Sequence, residues 1–214
     1  MNIVNSKYVK AFNIINERIG CLRLKVKLFS RTLTNVHAPT CEKTKEIKEE
    51  FYNLLEQNMY KIHINHLARS DIRIILGDFN AKVGKQSIYK PTIDNENLHN
   101  ETNNNGIKMI QFTISKCLNV RSTMFPHKDI HKETWYSADG RTANQTDHAL
   151  INNRFRSART DIRALRGPHN GSDHNLLKIN FKVKLRVKTG NKYNEERKMV
   201  NIFYKIKSRN KNML

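Results

Sequence analysis

The chain has 214 residues, 38% hydrophobic and 27% charged, enough for one globular domain with its own core. Lysine and arginine number 39 against 19 acidic residues, a net charge of +20, which favours a polyanionic partner, nucleic acid first among them. The three scattered cysteines (Cys21, Cys41, Cys117) argue against a disulfide framework or zinc knuckle, and the absence of a signal-peptide core or long apolar run argues against a membrane protein. An intracellular location, the nucleus included, is expected.

Taken in chain order, "CLRLKVKLF" alternates from Cys21 to Phe29, with Leu22, Leu24, Val26 and Leu28 on one side of a strand and Arg23, Lys25 and Lys27 on the other. "RTLTNVHAPT" reads as its neighbour and ends at His37, just before Pro39. "TKEIKEEFYNLLEQNMYKI" has helical spacing, with Ile47, Phe51, Leu54 and Leu55 on one stripe. "DIRIIL" is nearly all apolar, as in a strand covered on both faces. An Asn-rich aperiodic stretch from Gln86 to Asn104 reads as a loop. "NGIKMIQFTISKC" returns to helical spacing through Ile107, Ile110 and Ile114. "LNVRST", "KETWYS", "DHALI", "ARTDIRAL" and the alternating "LLKINFKVKL" are further strands. Strands and helices are mixed, so the class is α/β or α+β. We place one domain over residues 1–187 and a basic tail or linker over 188–214.

Polar residues collect where these strands end. His37 follows "TLTNV", and Asp78 and Asn80 follow "IRIIL" in "GDFN". Thr134 sits in "KETWYS", Asp147 opens "DHALI", and Ser172, Asp173 and His174 precede "NLLKINF". Singly, each has a plain explanation. GDFN is a turn sequence, SDH suits a turn or a cap, and His37 could be a packed histidine. Together, at the ends of strands, they suit phosphodiester hydrolysis. Carboxylates and an amide oxygen suit a hard ion such as Mg²⁺. An acid can orient or deprotonate water, and a histidine braced by a buried carboxylate can meet the developing phosphate charge.

"ILGDFNAKVG" and "GSDHN", in that order, with "NVHAPT", "HKETWYS" and "NQTDHALI" around them, resemble the endonuclease/exonuclease/phosphatase superfamily. The longer strings "DIRIILGDFNAKVG", "NNGIKMIQF", "FPHKDIHKETWYSADGRTANQTDHALI" and "RGPHNGSDHNLLKI" are similar to one branch. That branch comprises endonuclease domains of RTE-type non-LTR retrotransposons and the craniofacial development protein 2-like proteins related to them. The resemblance runs from about Asn16 to Leu185. It implies a DNase I-like fold, a four-layer α/β sandwich with two mixed β-sheets. It also implies Mg²⁺- or Mn²⁺-dependent cleavage of DNA. By resemblance, Asp78 orients or activates the attacking water beside Asn80. His174 contacts the scissile phosphate, Asp147 braces His174, and Asp173 lies in or near the metal shell. Thr134 helps to hold the phosphate region, and His37 stands on the phosphate side, where many members have a tyrosine.

The resemblance departs at the front of the chain. The family's first strands bear an Asn and a metal-binding Glu for which Asn13 and Glu17 are not replacements. The expectation is therefore a fold missing N-terminal strands, with impaired metal binding and weak or absent activity. Two other functions are carried alongside. One is a catalytically dead, basic nucleic-acid-binding module. The other is a phosphatase of the same superfamily.

Overall fold

A computed structural model of the chain describes residues 9–26, 29–66, 72–155, 159–166, 172–189 and 192–204. Strands β1 (Val9–Asn16), β2 (Ile19–Val26) and β3 (Phe29–His37) form an antiparallel meander. Helix α1 (Lys45–His66) then carries the chain back, so that β4 (Ile72–Asp78) pairs parallel to β3. A parallel pair needs such a crossover, because no tight turn can return the chain to the same end. After α2 (Asn104–Ser115) come the short strands β5 (Leu118–Val120), β6 (Trp135–Tyr136) and β7 (Ala143–Asn144). Strand β8 (Asp147–Asn152) inserts between β4 and β5, antiparallel to both. The main sheet thus has the order β1-β2-β3-β4-β8-β5. Strands β9 (Arg159–Leu165), β10 (Leu176–Thr189) and β11 (Lys192–Tyr204) make a second, antiparallel sheet in the order β11-β10-β9.

The central strand explains the two cores. On β4, Ile72, Ile74 and Leu76 are buried on one face with Ala149 and Ile151 of β8, Ile162 of β9, and Leu177 and Ile179 of β10. That is the seam between the sheets. Ile75 faces the other way and joins Val36, Leu150, Phe51, Leu55, Met59, Met109 and Ile110 under the two helices. A strand buried on both faces is therefore nearly all apolar, as "IRIIL" predicts, with the half-buried Arg73 the exception.

Elsewhere the structure corrects the reading by pattern. On β2 the buried side is Ile19, Cys21 and Arg23, and Leu22 and Leu24 are only half-buried. The helix side of this strand is fully covered, whereas its leucines point to the seam side, where Phe12 and Ile14 of β1 remain exposed. On α1 the buried stripe is Lys48, Phe51, Leu55 and Met59, and Ile47 is exposed. Lys48 is tolerated there because its Nζ donates to the Cys41 carbonyl at 2.7 Å. On α2, Met109, Ile110, Phe112 and Thr113 are buried, whereas Ile107 and Ile114 are exposed. The boundary set between residues 187 and 188 falls inside β10, and the expected tail supplies β11 from Lys192 to Tyr204. Residues 205–214 of that tail lie outside the described residues. Among the described residues no helix is long and apolar enough to cross a membrane.

Candidate phosphodiester-hydrolysing site

Strand register brings the site together. The parallel β3–β4 pair sets His37 beside Asp78 at the ends of both strands. The antiparallel β4–β8 pair sets Asp147 opposite Asp78. Gly77 makes this convergence possible. It pairs with Val36, has φ +149°, and a Cβ there would stand 1.9 Å from the Val36 carbonyl oxygen.

After Asp78 the backbone turns sharply. Asp78 Oδ1 accepts from the Asn80 N–H at 2.8 Å, and Asn80 takes a left-handed φ of +49°, which asparagine tolerates. The Asn80 side chain donates through Nδ2 to the Ala38 carbonyl at 2.8 Å, which fixes the amide. Asn105, in the first turn of α2, donates to the carbonyls of Pro39 (2.9 Å) and Asn80 (3.2 Å). Beyond it, the buried His148 bonds the Ala81 carbonyl through Nε2 at 2.9 Å and Ser122 Oγ through Nδ1 at 2.8 Å. A carbonyl can only accept, so Nε2 carries the proton and Nδ1 accepts from the serine.

Thr134 is buried, and its Oγ1 accepts from the backbone N–H groups of Thr146 and Asp147, each at 3.0 Å. It holds the start of β8. His174 enters from the other sheet, just before β10. Its Nδ1 lies 3.0 Å from Asp147 Oδ2. An ionised carboxylate only accepts, so Nδ1 donates and Nε2 takes no part in that bond. Nε2 of His174 stands 3.9 Å from Asp78 Oδ2, and Nε2 of His37 stands 3.7 Å from the same oxygen. Both separations exceed hydrogen-bond reach, so three polar atoms converge without a hydrogen bond between the histidines and Asp78. Asp173 Oδ2 accepts from the Trp135 indole N–H at 2.9 Å.

Electrostatics follow from burial and crowding. Burial, then the neighbouring Asp147 charge, push Asp78 up to about 7, against the opposing pull of His174 and the Asn80 N–H. Burial works against a charged His174, but the hydrogen bond and charge of Asp147, with Asp78 and Asp173, outweigh it and the net shift is upward. His37 moves down, through burial first and then the Arg18 and His174 charges. Asp147→Ala is therefore expected to lower the His174 pKa and abolish its preference for the Nδ1–H tautomer. A ¹⁵N-resolved histidine titration by NMR checks this, and an unchanged His174 titration would refute the bracing role.

The sequence reading missed several participants. Arg18, in the β1–β2 turn, donates through a guanidinium nitrogen to the His37 carbonyl at 3.4 Å. Trp135, Asn105 and His148 were also missed. Asn105 lay in a quoted motif, and Trp135 and His148 each directly follow a selected residue in sequence, so adjacency was the available signal.

No protein-family model matches the chain. It is 32% identical over 188 residues to craniofacial development protein 2 of Bos taurus, and likewise to that of Tragulus javanicus. The match covers 86% of this chain, which spans about a third of the length of these relatives (31% and 32%). Among solved structures, it superposes on the AP endonuclease LMAP from Leishmania major with a TM-score of 0.53 at 12% identity, covering 76% of this chain and 54% of that one. It superposes on the 3′ phosphatase NExo from Neisseria, bound to a product DNA hairpin, with a TM-score of 0.50 at 17% identity, covering 76% and 64%. The chain shares the DNase I-like fold of these two structures. The expected α/β class is met by a mixed six-stranded sheet with helices; the second sheet is antiparallel rather than mixed among the described residues, and β6 and β7 form a separate two-stranded sheet. The residues reached through that resemblance, His37, Asp78, Asn80, Thr134, Asp147, Asp173 and His174, all lie at or directly behind one end of the main sheet.

Proposed function

We propose that this chain is a DNA-directed phosphodiester-hydrolysing domain, weak in turnover. One observation carries the reading. Asp78, Asn80 and a His174–Asp147 pair from separate elements converge at one end of the main sheet. Asp78, with its pKa near neutrality, can accept a proton from an attacking water. The Asn80 amide, held by Ala38, leaves its oxygen to hold that water. His174 Nε2 donates to a phosphate oxygen, and Asp147 keeps the imidazole in the tautomer and orientation this needs. The positive charge of the chain supports a nucleic acid as the phosphodiester. The DNA hairpin bound to NExo supports the same choice by analogy.

Mg²⁺, or Mn²⁺ in its place, is the ion the resemblance implies, but the residues present do not fit it by themselves. Asp78, Asp147 and Asp173 each already accept from a protein donor. Among the described residues no group of three or more His, Cys, Asp or Glu side chains is arranged to hold a metal. Weak turnover is the expected consequence.

Plasmid nicking tests the proposal. With Mg²⁺ the chain should relax supercoiled DNA slowly, and Asp78→Ala and His174→Ala should each remove that activity while leaving DNA binding in place. Nicking that survives both substitutions would refute the site. DNA binding without any nicking would favour a basic binding module, and cleavage confined to small phosphate esters would favour a phosphatase.

A further inference from the structure

Helix α2 begins against the turn that carries Asn80. Its N-cap, Asn103, donates its backbone N–H to the Lys82 carbonyl at 3.1 Å. Asn103 Oδ1 accepts from the N–H groups of Lys82 at 3.0 Å and of Gly106 at 2.8 Å. Gly106 permits the close approach, since a Cβ there would stand 2.3 Å from the Lys82 carbonyl oxygen. The start of the helix is thus fixed to the backbone two residues beyond Asn80.

Asn105 sits on that fixed base, buried in the first turn of α2. Its amide nitrogen serves two chain segments. It donates to the Pro39 carbonyl at 2.9 Å, just after β3, and to the Asn80 carbonyl at 3.2 Å, just after β4. Both segments bear on the site. Ala38, next to Pro39, accepts from the Asn80 side chain, and its own N–H donates to the Asp78 carbonyl at 2.8 Å. Asn80 itself holds a left-handed φ of +49°, which any residue with a Cβ adopts at a cost. Such a conformation persists only where its surroundings fix it. Relaxation of the Asn80 peptide would draw its N–H away from Asp78 Oδ1 and its side-chain amide away from Ala38.

We infer that Asn105 is a positioning residue, which holds the exits of β3 and β4 together and keeps Asn80 in its left-handed turn. Its amide is spent on two backbone carbonyls, so it acts through Asn80 and Asp78 rather than on the substrate. The inference rests on the proposal that those two residues act on a phosphodiester.

Asn105→Ala and Asn105→Ser test it, with Asn97→Ala as the matched control. Asn97 is also buried and donates through Nδ2 to two carbonyls, Gly84 at 2.8 Å and Asp94 at 2.9 Å, neither of them in the Asn80 turn. Two quantities are measured: single-turnover plasmid nicking beside duplex affinity, and hydrogen exchange of the Asn80 backbone N–H by NMR. Asn105→Ala should slow nicking by about tenfold or more while duplex affinity stays within about twofold. Exchange at the Asn80 N–H should quicken by about tenfold or more. Asn105→Ser, whose hydroxyl donates to only one carbonyl, should fall between this variant and the unaltered chain, and it carries the comparison if Asn105→Ala does not fold. Asn97→Ala should keep both nicking and Asn80 exchange, whatever its loss in Tm. Equal slowing by the Asn97 and Asn105 variants would overturn the inference in favour of general destabilisation. Unchanged Asn80 exchange in the Asn105 variants would overturn it as well. Absence of nicking by the unaltered chain would refute the hydrolytic reading alone, whereas faster Asn80 exchange confined to the Asn105 variants would still support the positioning role.

Discussion

Gly77→Ala should destabilise the protein by about 3 kcal/mol or more, with a fall in Tm on the order of 10 °C. Two independent penalties combine. The backbone has φ +149°, which side chains bearing a Cβ rarely adopt, and the new Cβ would lie 1.9 Å from the Val36 carbonyl oxygen and 2.9 Å from its carbon. That obstacle is the backbone of a central paired strand, so no rotamer change relieves it. Relief requires β3 and β4 to part at the pair next to His37↔Asp78. The same substitution should therefore also loosen the site, which is where the strand ends must meet. Gly20→Ala is the control: a Cβ there meets nothing within 4 Å, and its effect should be within a few tenths of a kcal/mol. Thermal unfolding of the two variants distinguishes them, and similar Tm values would show that the close β3–β4 approach has been misread.

The contrast between those two glycines indicates what a sequence can convey. "IRIILGDFN" announced a strand buried on both faces and a sharp exit, because both properties are written in consecutive residues. The placement of polar groups at the ends of β3 and β4, at the start of β8 and just before β10 was also legible, since each of His37, Asp78, Asp147 and His174 borders an apolar run. What could not be read is which face of an element the rest of the fold covers. Leu22 and Leu24 alternate as a core face should, yet their seam side is covered only in part, and Arg23 is the buried residue. Ile107 and Ile114 keep helical spacing with Ile110, but α2 is rotated to bury Met109 and Phe112 instead. Long-range pairing was equally hidden. β11 looks like a basic tail because its partner alone makes it a strand. That Thr134 accepts from the backbone of Thr146 and Asp147 could not be read either, because those contacts join separate elements.

Asp78→Asn should make the fold more stable at pH 8 and change it little at pH 4.5, while removing the proton acceptor from the site. Asp78 is raised to about 7 in the folded state by burial and by Asp147. Below about pH 4 the carboxyl is protonated in both folded and unfolded chains and contributes no difference. Between about 4 and 7 the unfolded chain releases its proton more readily, so stability falls as pH rises. Above 7 the full penalty is present, a few kcal/mol at most. His174 acts in the same direction. Its raised pKa supplies stability that is complete below the unfolded value, about 6.5, and is lost as pH rises through the folded one. The amide oxygen introduced by the substitution can still accept from the Asn80 N–H, so the turn that Asp78 Oδ1 makes at 2.8 Å need not be lost. The substitution also withdraws one of the charges that raise His174, so the histidine should titrate lower. Urea unfolding at pH 4.5 and pH 8 measures the difference. A variant equally destabilised at both would mean that Asp78 is not a strained carboxylate, and would remove the basis for its acting as a base near neutral pH.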